Sequence, residues 1–120
     1  MTAPTLKPAH TSASLLGRTI RWTFSDGPTK GHTFEHTFND DGSVVWRAVD
    51  GASSTTLNRE KFSGVAPVGD DVAVVSYLAS NGFTLTVALN FADMQMTGFA
   101  SSNEVWTLQR GRFELLPEPD

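Results

Sequence analysis

Apolar and polar residues alternate in short blocks along almost the whole chain. Ile20, Trp22 and Phe24 alternate with polar residues, and the segment 33–38 repeats the pattern. Successive side chains of a β-strand point to opposite faces, so a repeat of two residues places each apolar set on one face of a strand. The alternation therefore predicts an all-β protein.

The pattern predicts about eight strands, at residues 18–25, 32–39, 43–49, 60–66, 71–79, 83–90, 93–100 and 104–113. Turn-forming residues stand between them, and Asn81-Gly82 is the strongest hairpin signal because both residues tolerate a left-handed backbone. Successive hairpins without a long helical crossover favour an antiparallel up-and-down β-barrel, which leaves no exposed strand edge. A β-sandwich is the competing fold, and the short connections favour the barrel.

The length of 120 residues suits one domain. Residues 15–116 are the predicted barrel, between a flexible N-terminal tail at 1–14 and a C-terminal tail at 117–120. The segment 50–58 is small and polar, and is a candidate loop over a barrel mouth.

Charge and composition exclude several functions. The net charge is −4 and no basic stripe is visible, so nucleic-acid binding is not expected. No apolar run is long enough to span a membrane and no signal peptide is visible, so a cytoplasmic protein is expected. The chain has no cysteine, and neither a cofactor nor a metal is expected. His32 and His36 would stand ~13 Å apart on one strand, too far for one metal ion.

His36 is the most informative candidate for a functional residue. It alternates in phase with Phe34 and Phe38, so it shares their face. On the inner face of a barrel its imidazole could bind a polar ligand or act as a base near neutral pH. The alternative is a core histidine with one hydrogen bond.

The three tryptophans and the one tyrosine are the other candidates. Trp22, Trp46 and Trp106 stand on three different predicted strands, and large rings with one N–H donor suit a pocket for an aromatic ligand. Tyr77 could donate a hydrogen bond inside the same cavity. The alternatives are ordinary core filling for the tryptophans and a rim position for Tyr77.

Several stretches of the chain resemble known proteins. The segments 16–27, 34–38 and 44–47 resemble the MoaF-like proteins, relatives of molybdenum cofactor biosynthesis protein F. The same stretches, with 75–77, 85–91 and 96–98, are similar to the bacterial phenolic acid decarboxylases. The resemblance implies a lipocalin-like (calycin) barrel with an internal cavity, and it implies a homodimer. No phosphate loop or basic pocket motif accompanies the MoaF likeness, so no pterin or molybdenum site is inferred.

The departures from the decarboxylases concern their catalytic positions. Trp22 and Phe24 stand where those enzymes carry two tyrosines, and Ala79 stands where they carry an acid. Only Arg59 offers a counterpart to their arginine. Indole, phenyl and methyl groups neither orient a carboxylate nor move a proton as phenol and carboxyl groups do. Decarboxylation of hydroxycinnamic acids is therefore not expected.

Three functions stay open at this point. The first is a barrel that binds a small, mostly apolar or aromatic molecule, with Trp22, His36, Trp46, Tyr77 and Trp106 around one cavity. The second is a calycin-type lyase or isomerase for a small hydrophobic or phenolic substrate. The third is a filled barrel with a structural role. The identity of a ligand and the end at which the barrel opens do not follow from the sequence.

Overall fold

The computed structural model describes residues 15–50 and 56–117. The N-terminal tail predicted at 1–14, all but the first residue of the C-terminal tail predicted at 117–120, and most of the loop predicted at 50–58 lie outside these ranges. The described residues form nine strands: β1 Thr19–Phe24, β2 Thr33–Phe38, β3 Val44–Ala48, β4 Asn58–Glu60, β5 Ser63–Pro67, β6 Val72–Leu78, β7 Thr84–Asn90, β8 Gln95–Ser101 and β9 Trp106–Leu115. The described residues contain no helix that is long and apolar enough to cross a membrane.

All nine strands belong to one antiparallel sheet. Its order is β4-β3-β2-β1-β9-β8-β7-β6-β5, so the first and last strands of the chain pair near the middle. The sheet curls until its two end strands, β4 and β5, come together as consecutive segments of the chain. The result is the nearly closed antiparallel barrel that the alternation predicts.

The strand predicted at 60–66 is divided in two, which makes nine strands rather than eight. β4 pairs with β3, whereas β5 pairs with β6 at the other end of the sheet. The division falls at Lys61 and Phe62, where two consecutive side chains are exposed and the alternation stops. The chain turns a corner there, and the Ser63 amide donates to the Gly42 carbonyl at 2.9 Å across the closing seam.

One end of the barrel is filled with side chains. Its inner residues are almost completely buried and come from seven strands and the chain that leads into β1: Leu15, Ile20, Phe38, Val44, Val75, Leu89, Met96 and Phe113. Each buried side chain of this size stabilises the fold by about 1.5–3 kcal/mol relative to an exposed one. This end of the barrel is the hydrophobic core of the protein.

Small residues line the inner face of β8 and β9 toward the other end. Gly98 and Gly111 are buried, and a Cβ at Gly111 would lie 3.0 Å from Cα of Phe24 on the neighbouring strand. Only glycine permits β9 to approach β1 so closely. The small side chains Ala100 and Thr107 continue this wall and leave space inside the barrel.

Candidate ligand-binding site

A cavity of about 430 Å³ occupies the barrel end opposite the core. The connections 25–32, 79–83 and 102–105 surround it, because β1, β6 and β8 all end on that side. Its lining side chains are uncharged apart from any protonation of His36: Trp22, Phe24, Pro28, Thr29, Phe34, His36, Trp46, Tyr77, Ala79, Asn81, Phe83, Leu85, Ala100, Val105, Thr107 and Gln109. The volume is within the range of about 300–1,000 Å³ that is usual for small-molecule sites.

Aromatic rings on β1, β2 and β3 form one wall of the cavity. The register pairs Trp22 with Phe34, and His36 with Trp46. The rings of Trp22 and His36 stack diagonally, with centroids 4.1 Å apart and planes 28° apart. Phe34 meets Trp46 edge to face at 6.1 Å. Such contacts fix the rings in place and present a flat apolar surface to the cavity.

His36 and Tyr77 form a buried polar pair within this apolar surround. His36 Nε2 and the Tyr77 hydroxyl are 2.9 Å apart, although β2 and β6 do not pair in the sheet. Burial lowers the pKa of His36 to about 3, so the imidazole is neutral at pH 7. Burial, together with the nearby charge of Glu60, raises the pKa of Tyr77 above its ordinary value. Both groups are therefore neutral hydrogen-bonding groups at physiological pH.

Two buried nitrogens in this wall have no hydrogen-bond partner among the described residues. They are Nε1 of Trp22 and Nδ1 of His36. A buried polar atom without a partner is uncommon and costs about 1–3 kcal/mol. The wall therefore contains polar capacity that the described part of the protein does not use.

Glu60 is a functional candidate that the sequence reasoning missed. Its carboxylate accepts a hydrogen bond from Trp46 Nε1 at 3.0 Å and another from the Ser80 amide at 3.1 Å. The residue is buried at the seam between the two ends of the sheet. No sequence signal distinguishes it from a surface acid at the start of a strand. These two hydrogen bonds join Trp46 on β3 to the connection 79–83.

The structure brings four of the five predicted site residues together: Trp22, His36, Trp46 and Tyr77. The placement of Trp106 in the cavity is wrong, because 67% of this residue is exposed. On β9 the inward face carries Gln109, Gly111 and Phe113, so Trp106 lies on the outer face and meets Phe99 edge to face at 5.4 Å. Near the cavity, the inward side chains of β9 are less hydrophobic than the outward ones. The hydrophobicity pattern therefore predicted the wrong face for Trp106.

Gln109 and Thr29 also line the cavity and were missed. Gln109 Nε2 donates to the Thr29 hydroxyl at 3.0 Å, which joins β9 to the connection 25–32 at the open end. A glutamine on an alternating strand gives no signal of its own. In the described ranges, no group of at least three His, Cys, Asp or Glu side chains could hold a metal ion.

Comparison with known proteins supports the fold. No protein-family model matches the sequence, and no curated protein matches it. A crystal structure of a Burkholderia vietnamiensis protein, provisionally described as a beta-lactamase, is similar with a TM-score of 0.68 and 16% sequence identity. The match covers 93% of this chain and 100% of the other. At that identity the likeness concerns the fold alone. The barrel is consistent with a calycin-like fold, whereas the MoaF-like resemblance has no support from these comparisons.

Proposed function

We propose that this protein binds one small, mostly apolar aromatic molecule inside the barrel. The observation that carries the proposal is the cavity of about 430 Å³, whose lining combines five other aromatic residues with the His36–Tyr77 pair. Burial of an aromatic ligand against such rings supplies affinity, and a few placed polar groups set its orientation. A completely filled structural barrel would have no space of this size.

A calycin-type lyase or isomerase is the second candidate, and the His36–Tyr77 hydrogen bond favours it. A proton-transfer catalyst works best when its pKa lies near the working pH. Burial shifts the pKa of His36 down to about 3 and the pKa of Tyr77 upward, which is away from neutrality in both cases. These shifts weaken both groups as base and acid, so we favour binding over catalysis.

Two activities suggested by similar proteins are not proposed for this chain. The described lining has no serine, and its hydroxyls belong to Thr29, Tyr77 and Thr107, so the description of the Burkholderia protein is not transferred. Trp22, Phe24 and Ala79 line the cavity without the tyrosines and the acid that hydroxycinnamate decarboxylation would use. Neither nitrocefin hydrolysis nor carbon dioxide release from hydroxycinnamic acids is expected.

Thermal unfolding with naphthalene as the probe tests the binding proposal. A ligand that binds only the native state raises the unfolding midpoint, and a concentration of about 100 times Kd adds about 2.7 kcal/mol of stability. In Leu85→Trp the larger ring would occupy part of the cavity, and the shift should shrink. Trp106→Ala is the matched control, since its ring is outside, and the shift should persist. No shift in the native protein, or an equal shift in Leu85→Trp, would contradict the proposal.

We also propose a homodimer, and we retain a cytoplasmic location as a proposal. An apolar patch on the outer face of β8 and β9 supports self-association: Phe99 and Leu108 are register partners, and Trp106 lies beside them. Exposed apolar patches commonly mark interaction surfaces. The outer face of β1–β3 carries instead the ion pairs of Glu35 with Arg21 and Arg47, which suit solvent.

A further inference from the structure

The described lining of the cavity offers no positive charge to a ligand. Its lining within the described ranges has neither lysine nor arginine. Among the described residues, His36 is the one lining group that could become cationic, and burial keeps it neutral at pH 7. A carboxylate moved into such a site would lose its hydration without gaining an ionic partner, which is unfavourable.

A buried acid beside the cavity makes it still less suitable for an anion. Glu60 lies behind Trp46, within hydrogen-bond distance of its indole nitrogen at 3.0 Å. After burial itself, the charge of Glu60 is the second cause that raises the pKa of Tyr77. The Tyr77 hydroxyl therefore lies in a negative potential, which opposes a second negative charge nearby.

The unused polar capacity of the wall includes hydrogen-bond donors. The Trp22 N–H can only donate, and it has no acceptor among the described residues. The Tyr77 hydroxyl has one proton and two lone pairs, and its bond with His36 uses one of these three. A carbonyl oxygen, which only accepts, complements the Trp22 N–H whichever nitrogen of His36 carries the proton.

These observations define the ligand more narrowly than the proposed binding function, on which this inference rests. We infer that the cavity selects uncharged aromatic ketones or aldehydes, with the carbonyl oxygen at Trp22 and Tyr77, and rejects aromatic carboxylates. In this arrangement Nε2 of His36 carries the proton and donates to the Tyr77 hydroxyl, which leaves the Tyr77 proton for the carbonyl. The rings of the wall hold the aromatic part, and the buried Glu60 helps to exclude acids.

Three probes of one ring system test the inference by isothermal titration calorimetry at pH 7. 2-Acetonaphthone carries the carbonyl, 2-isopropylnaphthalene replaces it with a methyl of similar shape, and 2-naphthoate is ionised. The ketone should bind about threefold to tenfold more tightly than the hydrocarbon, which corresponds to one net hydrogen bond. The naphthoate should bind at least about tenfold more weakly than the ketone.

Two conservative variants locate the donors. In Tyr77→Phe and in Trp22→Phe the preference for the ketone over the hydrocarbon should shrink, while the hydrocarbon still binds. Naphthoate binding as tight as that of the ketone, or a ketone preference unchanged in both variants, would overturn the inference and leave the binding function standing. Failure of all three probes to bind the native protein would overturn the binding function, and this inference with it.

Discussion

His36 and Tyr77 lie 41 residues apart in the chain, yet Nε2 of one and the hydroxyl of the other meet at 2.9 Å inside the barrel. β2 and β6 belong to different halves of the sheet and share no backbone pairing. The bond therefore joins the two halves through the interior, at the boundary between the core and the cavity. Because both groups are buried, we expect the pair to affect stability as well as the proposed ligand binding.

The first prediction concerns pH. The folded-state pKa of His36 is about 3 and its ordinary value is 6.5, so only the unfolded chain takes up this proton as pH falls below 6.5. Stability is therefore complete above pH 6.5, and it falls by up to about 1.4 kcal/mol per pH unit below that value. Urea denaturation at several values from pH 7 to pH 5 should show this loss, and it should be much smaller in His36→Gln.

The carboxylate of Glu35, on the outer face of the barrel, affects stability at a lower pH than His36 does. Burial opposes the effect, but the hydrogen bond from Arg21 and the charge of Arg47 lower the pKa of Glu35 below its ordinary value. Stability from this group is thus present above the ordinary value of 4.5 and is lost as pH falls below it, where the unfolded carboxylate takes up protons first. Parallel stability curves for the native protein and His36→Gln above pH 5 would contradict the assignment to His36.

The second prediction concerns the coupling within the pair. Tyr77→Phe leaves the His36 Nε2 buried without its partner, which should cost about 1–3 kcal/mol. The double variant that also carries His36→Phe removes both polar groups together, and it should lose less stability than the two single changes combined. Chemical denaturation of the four proteins measures the coupling. Strictly additive losses would show that the 2.9 Å contact contributes nothing.

The third prediction concerns Glu60. Glu60→Ala leaves the Trp46 indole N–H and the Ser80 amide without their acceptor, and should destabilise the protein by about 1–3 kcal/mol. Trp46 should also become more accessible to acrylamide quenching. Glu104→Ala removes the same type of side chain from an exposed connection and is the matched control, for which no change is expected. Equal behaviour of the two variants would argue against a bracing role.

The fourth prediction concerns the outer apolar patch. If two copies associate through Phe99, Trp106 and Leu108, Trp106→Glu places a charge in the contact and should shift the protein to the monomer mass in light scattering. Thr97→Glu lies on the same face of β8, two residues from Phe99, and reports how far the contact extends. A native protein that is monomeric at all working concentrations would exclude this dimer.

The fifth prediction concerns the close approach of β9 and β1. Gly111→Ala should destabilise the barrel by more than about 1 kcal/mol, because its Cβ would lie 3.0 Å from the Phe24 Cα and closer still to the Thr23 carbonyl oxygen. Gly64→Ala is the control, since a Cβ there meets nothing within 4 Å. Thermal unfolding of the two variants should differ clearly; similar midpoints would show that the strands can separate at little cost.

Sequence periodicity was sufficient to predict the fold class and most strand positions. Alternation is a local property, and it placed Trp22, His36 and Tyr77 on the correct faces because their neighbours follow the same inward pattern. The Asn81-Gly82 turn was likewise predictable, since Gly82 has a φ of 94° in the β6–β7 connection. Such features depend on residues that are neighbours in the sequence, so they can be predicted without knowledge of long-range contacts.

Other features depended on contacts between distant residues. The corner at Lys61 and Phe62 exists because the sheet must bend to close, and no local pattern encodes which half of a strand pairs with which neighbour. The inward position predicted for Trp106 rested on its hydrophobicity alone and is wrong. The inward position is instead occupied by Gln109, whose side-chain amide donates a hydrogen bond to Thr29, 80 residues away in the chain. The burial of Glu60 and its hydrogen bonds likewise depend on residues that are distant in the sequence. Tertiary packing sets burial, and burial determines which side chains act as neutral donors, fixed braces or exposed surface.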